Sequence, residues 1–421
     1  MTLQKLKPVY FLGSLVNNIK GIYNKTNELV DAVNDFQEGN IDNDYFVFVN
    51  TINDLPEPVG GVITLADNVT YFITSTIDLL GDRLVCGQNT TILGGSSENC
   101  RIKSTGLTDA LITSNYSLPI RNITIEANLA LDLDATGNSN QTLDWFGVNF
   151  TDCAVIGTVK SYSNFIATDC AVLNSANWTF DGTIGTIGFT QTIFDGRSGQ
   201  TTIVFPSTLT VTRRIRFNSC PFVVLAGETG INLSTSATIP VEGYRCHFGD
   251  FSGGGTYLAG VSSTDNKALF SETRGVLNSA AIANYYMVNN ATLTDIVTQN
   301  VAVKIAGTTT PGALAQKFTF TDNRATYVGA ITRDFKVSAV LTVVAATSNK
   351  QIGLYIRKTN TLVTESEQYV TTNANSRAEA ITIQSFVNLS TNDYIEIWVE
   401  NDTDNTDVTI SFLNVIIEAE N

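Results

Sequence analysis

Apolar residues recur about every three and a half positions in the N-terminal segment, residues 1–45. With Leu12 at the first heptad position, the first and fourth positions are apolar through four heptads, except for one threonine. These seam positions are Leu12, Leu15, Ile19, Ile22, Thr26, Leu29, Val33 and Phe36. This spacing, with polar residues between, predicts a coiled coil. Val16, Tyr23 and Val30 widen the apolar stripe, so one amphipathic helix packed on its own protein is the alternative.

From about residue 46 to residue 305 the pattern changes to short β-branched segments separated by Gly, Asn, Asp and Ser. Short strands without helical spacing between them predict a parallel β-solenoid. The pentapeptide TDCAV at 151–155 returns unchanged at 168–172. In a coil that advances one turn per repeat, the two copies would stack and place Cys153 on Cys170. A β-sandwich is the alternative, but it gives no reason for a repeated pentapeptide.

Beyond residue 306 the alternation of apolar and polar residues becomes long and regular. We interpret the stretch 306–312, which contains Gly, Thr and Pro, as a linker. Eight alternating segments follow: 317–322, 326–332, 335–346, 350–358, 361–371, 378–389, 393–400 and 407–419. Eight strands of this length predict a two-sheet jelly roll over 306–421.

One of these predicted strands has a core face made by Ile395, Ile397 and Val399. Its other face carries four side chains that we expect to be exposed: Tyr394, Glu396, Trp398 and Glu400. Aromatic rings that alternate with carboxylates suit either a glycan site or a contact with a neighbouring subunit. The subunit contact is favoured, because aromatic residues are enriched at such contacts.

Charge and composition narrow the classes of partner. The chain has 25 Lys and Arg against 40 Asp and Glu, a formal net charge of −15. It would repel nucleic acid and an anionic membrane surface, so we expect neither as a partner. No apolar run is long enough to span a bilayer, so we expect no membrane insertion. A secreted adhesin or lectin would need an export signal, which residues 1–11 do not provide.

The six cysteines, at 86, 100, 153, 170, 220 and 246, form no C-x-x-C motif. We expect buried thiols in a protein made in a reducing compartment, with disulfides as the alternative.

Candidate chemistry is sparse, and we expect no catalytic, cofactor-binding or metal site. Paired carboxylates that cut polysaccharide are the alternative, and the chain offers five aspartates for them: Asp132, Asp134, Asp181, Asp195 and Asp250. Aspartate is also an ordinary turn residue. The lone His247 cannot build an acid–base or zinc constellation, and the acidic stretch 401–407 lacks the glycine and terminal glutamate of a calcium loop.

Three stretches carry a family resemblance: 61–73, 77–100 and 390–396. The first two, behind a helical N-terminus, resemble trimeric bacteriophage fibre and tailspike proteins, and the third resembles jelly-roll tips of the tumour-necrosis-factor and complement globular-head type. The resemblance implies a mostly β fold with a short N-terminal helix, a right-handed parallel β-helix over 46–305 and a C-terminal eight-stranded jelly roll.

In function, the resemblance implies a homotrimeric structural fibre or spike on the head, collar or tail of a virion assembled in the bacterial cytoplasm. It would dock to other virion proteins through residues 1–45 and assist attachment to the host, with a host-surface glycan as a candidate ligand. A tailspike polysaccharide depolymerase is the alternative.

Overall fold

The computed structural model describes residues 45–262, 265–277, 279–372 and 377–420. The predicted coiled coil therefore lies outside the described residues, as do its seam positions Leu12, Leu15, Ile19, Ile22, Thr26, Leu29, Val33 and Phe36. The chain divides into two compact units, Met1–Thr179 and Phe180–Asn421.

The described part of the first unit consists of short strands and one 3-10 turn, Ile52–Asp54. The strands are β1 (Phe46–Val49), β2 (Val62–Leu65), β3 (Thr70–Ile73), β4 (Thr76–Asp78), β5 (Arg83–Cys86), β6 (Thr91–Gly94), β7 (Arg101–Lys103), β8 (Ala110–Ser114), β9 (Ile120–Glu126), β10 (Leu129–Asp134), β11 (Thr142–Thr151), β12 (Val155–Lys160), β13 (Asn164–Thr168) and β14 (Ala171–Leu173). The next strand, β15 (Trp178–Asp181), spans the division between the units.

These strands form the three faces of a parallel β-solenoid, as the sequence pattern predicts. The first face is β2-β5-β8-β10-β12, the second is β1-β3-β6-β9-β11-β13, and the third contains β4, β7 and β14. Neighbours within a face come from successive turns of the chain, so their side chains stack. Ile63, Leu84, Ile112 and Leu131 follow one another along the first face, and all four are buried. This stacking gives the solenoid its continuous apolar core.

The two copies of the repeated pentapeptide occupy different corners of the solenoid. One turn here takes 22 residues, since Thr142 pairs with Asn164, and this is longer than the spacing of the repeat. Cys153 therefore lies on Ser175, to whose Oγ it donates its backbone N–H at 2.9 Å. The predicted stacking of Cys153 on Cys170 is wrong.

The second unit begins with further solenoid strands: β16 (Thr183–Thr190), β17 (Ile193–Asp195), β18 (Thr201–Phe205), β19 (Thr210–Asn218), β20 (Pro221–Val223), β21 (Thr229–Leu233), β22 (Tyr244–His247), β23 (Asp250–Ser252), β24 (Thr256–Ala259) and β25 (Ala268–Ser271). Their pairing is again parallel, in the orders β16-β19-β22-β25, β17-β20-β23 and β18-β21-β24. Phe194, Phe222 and Phe251 stack through the core of this part, with ring centroids 4.3 and 4.7 Å apart.

The rest of the second unit has one 3-10 turn, Thr364–Ser366, and the strands β26 (Ile282–Met287), β27 (Leu293–Thr294), β28 (Val303–Lys304), β29 (Thr310–Gln316), β30 (Phe318–Thr321), β31 (Arg324–Tyr327), β32 (Arg333–Ala345), β33 (Lys350–Lys358), β34 (Thr361–Leu362), β35 (Gln368–Thr372), β36 (Glu379–Leu389), β37 (Tyr394–Asn401) and β38 (Val408–Ala419). They pair antiparallel in two sheets, β29-β26-β38-β32-β36 and β30-β31-β37-β33-β34. Short strands β27, β28 and β35 join β38, β37 and β33. One apolar cluster, including Phe335, Leu341, Ile356, Ile397 and Leu413, fills the jelly-roll-like core.

All eight alternating segments contain strands, but the predicted boundary at 305 and the linker at 306–312 are corrected. Strand β26 pairs antiparallel with β38, and β29 pairs with β26. Parallel pairing therefore ends with β25, and the antiparallel domain begins at Ile282. Tyr285 opposes Val415, 130 residues later. Neighbouring residues of the sequence carry no sign of so distant a partner, so the pattern alone assigned β26 to the solenoid and the beginning of β29 to a linker.

Candidate functional site

Strand β37 lies in the middle of the second jelly-roll sheet, between β31 and β33. Its inward residues Ile395, Ile397 and Val399 are buried in the core, as predicted. The opposite side carries the four side chains singled out from the sequence, Tyr394, Glu396, Trp398 and Glu400, but this chain itself covers much of that side. We name these four residues the β37 face.

Glu396 is not exposed, which corrects the prediction for this position, since only 1% of its surface is accessible. Its carboxylate accepts the Trp398 indole N–H at 3.0 Å and pairs with Arg324 at 2.8 Å and Lys304 at 3.2 Å. Burial alone would raise the pKa of Glu396, but these donors outweigh it and lower the pKa. The carboxylate is therefore held ionised as the acceptor of a closed polar cluster.

Both aromatic rings of the β37 face are half-buried, and an arginine guanidinium group lies over each ring. The Arg324 guanidinium lies 3.7 Å from the centroid of the Tyr394 ring, and that of Arg357 lies 4.0 Å from the Trp398 ring. Both are cation–π geometries. A sugar that stacked on either ring would compete with an internal cation, and the choice between glycan and subunit contact stays a prediction.

Glu400 lies at the end of the β37 face, and its pKa is shifted upwards whereas that of Glu396 is shifted downwards. Burial, followed by the neighbouring Asp402 carboxyl, raises the pKa of Glu400 to about 7. The hydroxyl of Tyr369 lies 3.5 Å from this carboxyl and also donates to Glu367. Burial and the like charge leave Glu400 partly protonated near neutral pH.

Three of the aspartates considered as catalytic acids form ion pairs or hydrogen bonds with other side chains of the solenoid. Asp134 pairs with Lys160 at 2.9 Å, Asp250 pairs with Arg274, and Asp181 accepts the Thr208 hydroxyl at 2.5 Å. Burial would raise the pKa of Asp134, but hydrogen bonds from Thr136 and Lys160 lower it. Such a carboxyl is a poor proton donor near neutrality.

The remaining candidates from the sequence, His247 and the acidic stretch 401–407, form hydrogen bonds within the fold. His247 places Nδ1 2.7 Å from the Ser271 hydroxyl on the next turn. The acidic stretch lies in the loop that connects β37 of one jelly-roll sheet to β38 of the other, where Lys350 hydrogen-bonds Asp404 and lowers its pKa to about 2. Within the described ranges, no group of three His, Cys, Asp or Glu side chains is arranged to hold a metal ion.

All six cysteines are free and buried, as the sequence predicts. Burial raises the pKa of the Cys86 thiol to about 12 and that of Cys153 to about 11. Such thiols stay protonated and unreactive.

Two surfaces were missed in the sequence. The outward side of the β29-β26-β38-β32-β36 sheet exposes Tyr286, Val340, Phe412 and Ile416. From the sequence, β26 was not predicted as a strand of this sheet, and the outward residues of β32 and β38 were not considered. Strand β19 exposes Arg213, Arg214 and Arg216. The run of arginines in a chain of net charge −15 was a visible signal for the second surface.

The described residues contain no helix that is long and apolar enough to cross a membrane. No family model matches the chain, and no curated protein matches it.

Solved structures similar to parts of the chain include the PRD1 vertex protein P5, which is 12% identical with a TM-score of 0.24, over 33% of this chain and 96% of that one. Murine APRIL at pH 5.0 is 9% identical with a TM-score of 0.22, over 32% and 98% of the two chains. The Eiger TNF from S. frugiperda is 12% identical with a TM-score of 0.21, over 32% and 91%. The strand pairings themselves define the class of this protein: a parallel β-solenoid followed by a jelly-roll-like domain.

Proposed function

We propose that this protein is a structural spike or fibre of a bacteriophage particle, built as a homotrimer and exposed for attachment to the host. The observation that carries the proposal is the outer side of the β29-β26-β38-β32-β36 sheet, whose centre is uncharged and partly apolar. In a chain with so many surplus carboxylates, this sheet face is suited to contact with another copy.

The rows of this sheet face follow from the register. Tyr286, Asn414 and Val340 lie side by side on β26, β38 and β32, and in the next row Ile416 lies beside Ser338. Tyr286, Val340 and Ile416 are each exposed by 36–41%. Exposed apolar residues without charges between them are typical of the centre of a protein interface.

Charges appear only towards one end of the same sheet face. There Lys336 lies opposite Glu418, and Asp334 follows at the strand end. An uncharged, partly apolar centre with charges towards its border is typical of a subunit interface. The occupant that fits is a second copy of this chain, because two molecules of charge −15 repel each other least where both surfaces lack carboxylates. The heptads of residues 12–36 favour the same self-association.

We propose that the exposed surfaces of the protein bind the host and do not cleave its polysaccharide. The bonds of Asp134, Asp181 and Asp250 within the solenoid support this, because each carboxylate already has a structural partner. Measured loss of viscosity of a host polysaccharide on incubation with the protein would instead favour a depolymerase.

The proposal is tested on particles. Gold-labelled antibodies against residues 317–421 should decorate projections on the purified virion, and light scattering should give three times the chain mass of 45.5 kDa. Deletion of residues 1–45 should leave a soluble trimer that no longer joins particles. Unlabelled virions, or a native mass of one chain, would reject the proposal.

A further inference from the structure

The described cations of the first unit are all ion-paired. These pairs are Arg83–Asp109, Arg101–Glu126, Lys103–Asp78, Arg121–Asp144 and Lys160–Asp134. In the solenoid turns of the second unit, four arginines have no carboxylate partner among the described residues: Arg213, Arg214, Arg216 and Arg245. We name these four the arginine patch. An acidic chain that ion-pairs every described cation of its first unit but gives these four arginines no carboxylate partner holds a local positive surface.

A β-bulge turns the first two of these arginines outward. Val211 pairs with Ile184 but Arg214 pairs with Thr186, so β19 has one extra residue between the two pairs. Val211, Ile215 and Phe217 are buried. Strict alternation would therefore point Arg213 into the core, whereas the bulge leaves Arg213 and Arg214 both exposed. Bulges re-aim side chains in this way.

Two members of the patch oppose each other directly. Arg216 of β19 pairs in register with Arg245 of β22, and neighbouring strands lie about 4.8 Å apart. Like charges directly opposite each other in a sheet are destabilising. The only hydrogen bond described for the Arg245 guanidinium goes to the backbone carbonyl of Glu242, at 2.9 Å. Because the fold places like charges together without a carboxylate between them, an external anion would relieve the repulsion.

On the preceding turn the strand positions beside the patch carry small residues, and on the following turn Leu269 lies beside Arg245. Thr186 and Gly188 adjoin Arg214 and Arg216 on the preceding turn, so no large side chain covers the guanidinium groups from that side. A row of hydrogen-bonding residues follows next along the strands: Asn218, His247 and Ser271. These amide, imidazole and hydroxyl groups can bond to sugar hydroxyls.

An exposed aromatic ring lies at the end of this row. Phe248 is 49% exposed, and its ring centroid is 3.9 Å from that of His247. Its backbone is left-handed, with φ 51°, a conformation that is uncommon for a bulky residue. The same corner on other turns carries Gln191, Ser219 and Glu272. Phe248 thus presents a ring to solvent at a position where its neighbours are polar.

We propose that the arginine patch, with the adjoining row and Phe248, binds an acidic polysaccharide. Arginine forks pair with carboxylate or sulfate groups, the row bonds hydroxyls, and the ring of Phe248 stacks on a sugar ring. A protein partner would need an apolar centre, and the centre here is Arg216 and Arg245. As a host-attachment site it rests on the proposed function, whereas binding itself is a property of the isolated protein.

The test measures binding of the full chain to four defined polymers: alginate for carboxylates, dextran sulfate for sulfates, neutral dextran, and polyglutamate as an acidic peptide. We expect calorimetry to show binding to alginate or dextran sulfate that weakens with added salt, and none to neutral dextran. The triple variant R214Q/R216Q/R245Q should weaken this binding by about tenfold or more. F248A should weaken it by about threefold, with the salt dependence kept.

The matched control is R83Q/R121Q/R274Q, which removes the same charge from ion-paired solenoid arginines. It should leave the affinity within about twofold. Equal losses in the two triple variants, no binding to either acidic polysaccharide, or equal affinity for polyglutamate would overturn the site, and an unchanged F248A would remove the stacking role. If the antibody labels projections on the virion but the isolated protein binds neither acidic polysaccharide, the binding site is rejected and the proposed function is kept.

Discussion

The carboxylate of Glu396 accepts the indole N–H of Trp398 at 3.0 Å, two residues along the same strand. The same carboxylate pairs with Lys304 and Arg324. Because these partners belong to β28, β31 and β37, one buried anion connects three strands of the sheet. Trp398 in turn lies under the Arg357 guanidinium of β33. Charge-assisted hydrogen bonds and a cation–π contact thus cover this side of the sheet with side chains of the same chain.

Replacement of Glu396 by Gln should destabilise the jelly roll. The amide keeps the shape but leaves Lys304 and Arg324 without their shared counter-ion. Removal of one partner of a buried ion pair costs about 3–5 kcal/mol, and the partial exposure of both cations reduces this to about 2–4 kcal/mol. Urea unfolding measures the loss. Asp322→Asn is the control, since the Asp322–Lys304 pair is exposed and screened by solvent and should contribute little to stability. Equal losses in the two variants would contradict the prediction.

Trp398→Ala should lower the melting temperature. The change removes the hydrogen bond to Glu396 and the ring beneath Arg357, and we expect a loss of about 2 kcal/mol for this half-buried side chain. The exposed Val297, which lies outside the proposed interface, is changed to Ala as the control and should stay within about 0.5 kcal/mol. Host adsorption lost with an unaltered melting curve would show instead that Trp398 contacts a receptor.

Ile416→Glu should separate the proposed trimer into single chains. The substitution places a carboxylate in the uncharged centre of the sheet face, where a neighbouring copy would desolvate it without a partner. Light scattering should then report a mass near 45.5 kDa. Val297→Glu is the matched control, because Val297 is 73% exposed and lies outside that sheet face. A variant Ile416→Glu that remains trimeric would place the interface elsewhere.

The protonation of Glu400 should make stability depend on pH. Burial and then Asp402 raise its folded-state pKa from 4.5 to about 7. The folded state therefore binds the proton more tightly than the unfolded state. This contribution to stability is complete below about pH 4.5 and is lost as pH rises through about 7. Glu400→Gln should remove that slope in unfolding measured between pH 4 and pH 8. A constant difference between the two proteins across this range would contradict the assignment.

The inward residues of the jelly roll were predictable because alternation is a local property of a strand. Phe335, Leu341 and Ile397 are buried as their spacing predicts. Strand β26 was missed because one of its partners lies at the far end of the chain, where Tyr285 opposes Val415. Strand β29 joins the sheet only through β26. Sequence spacing shows which side of a strand is apolar and not which strand it joins.

The β37 face shows the same limit for a candidate site. Alternation correctly placed Glu396 opposite the core residues. Its burial depends on Lys304 and Arg324, which lie 92 and 72 residues earlier in the chain. In the arginine patch, the sequence displays Arg213, Arg214 and Arg216 together, but only the register of β19 and β22 adds Arg245.

The repeated pentapeptide separates what is local from what is tertiary. Asp152 and Asp169 take the same left-handed backbone, with φ 57° and 52°, and each precedes a buried cysteine. The sequence by itself determined these two corners, since an aspartate tolerates that conformation and a small apolar residue fits behind it. Which residues stack was decided by the length of a whole turn, 22 residues here. That length is the sum of three faces and their corners, so Cys153 lies on Ser175 and not on the cysteine of its own repeat.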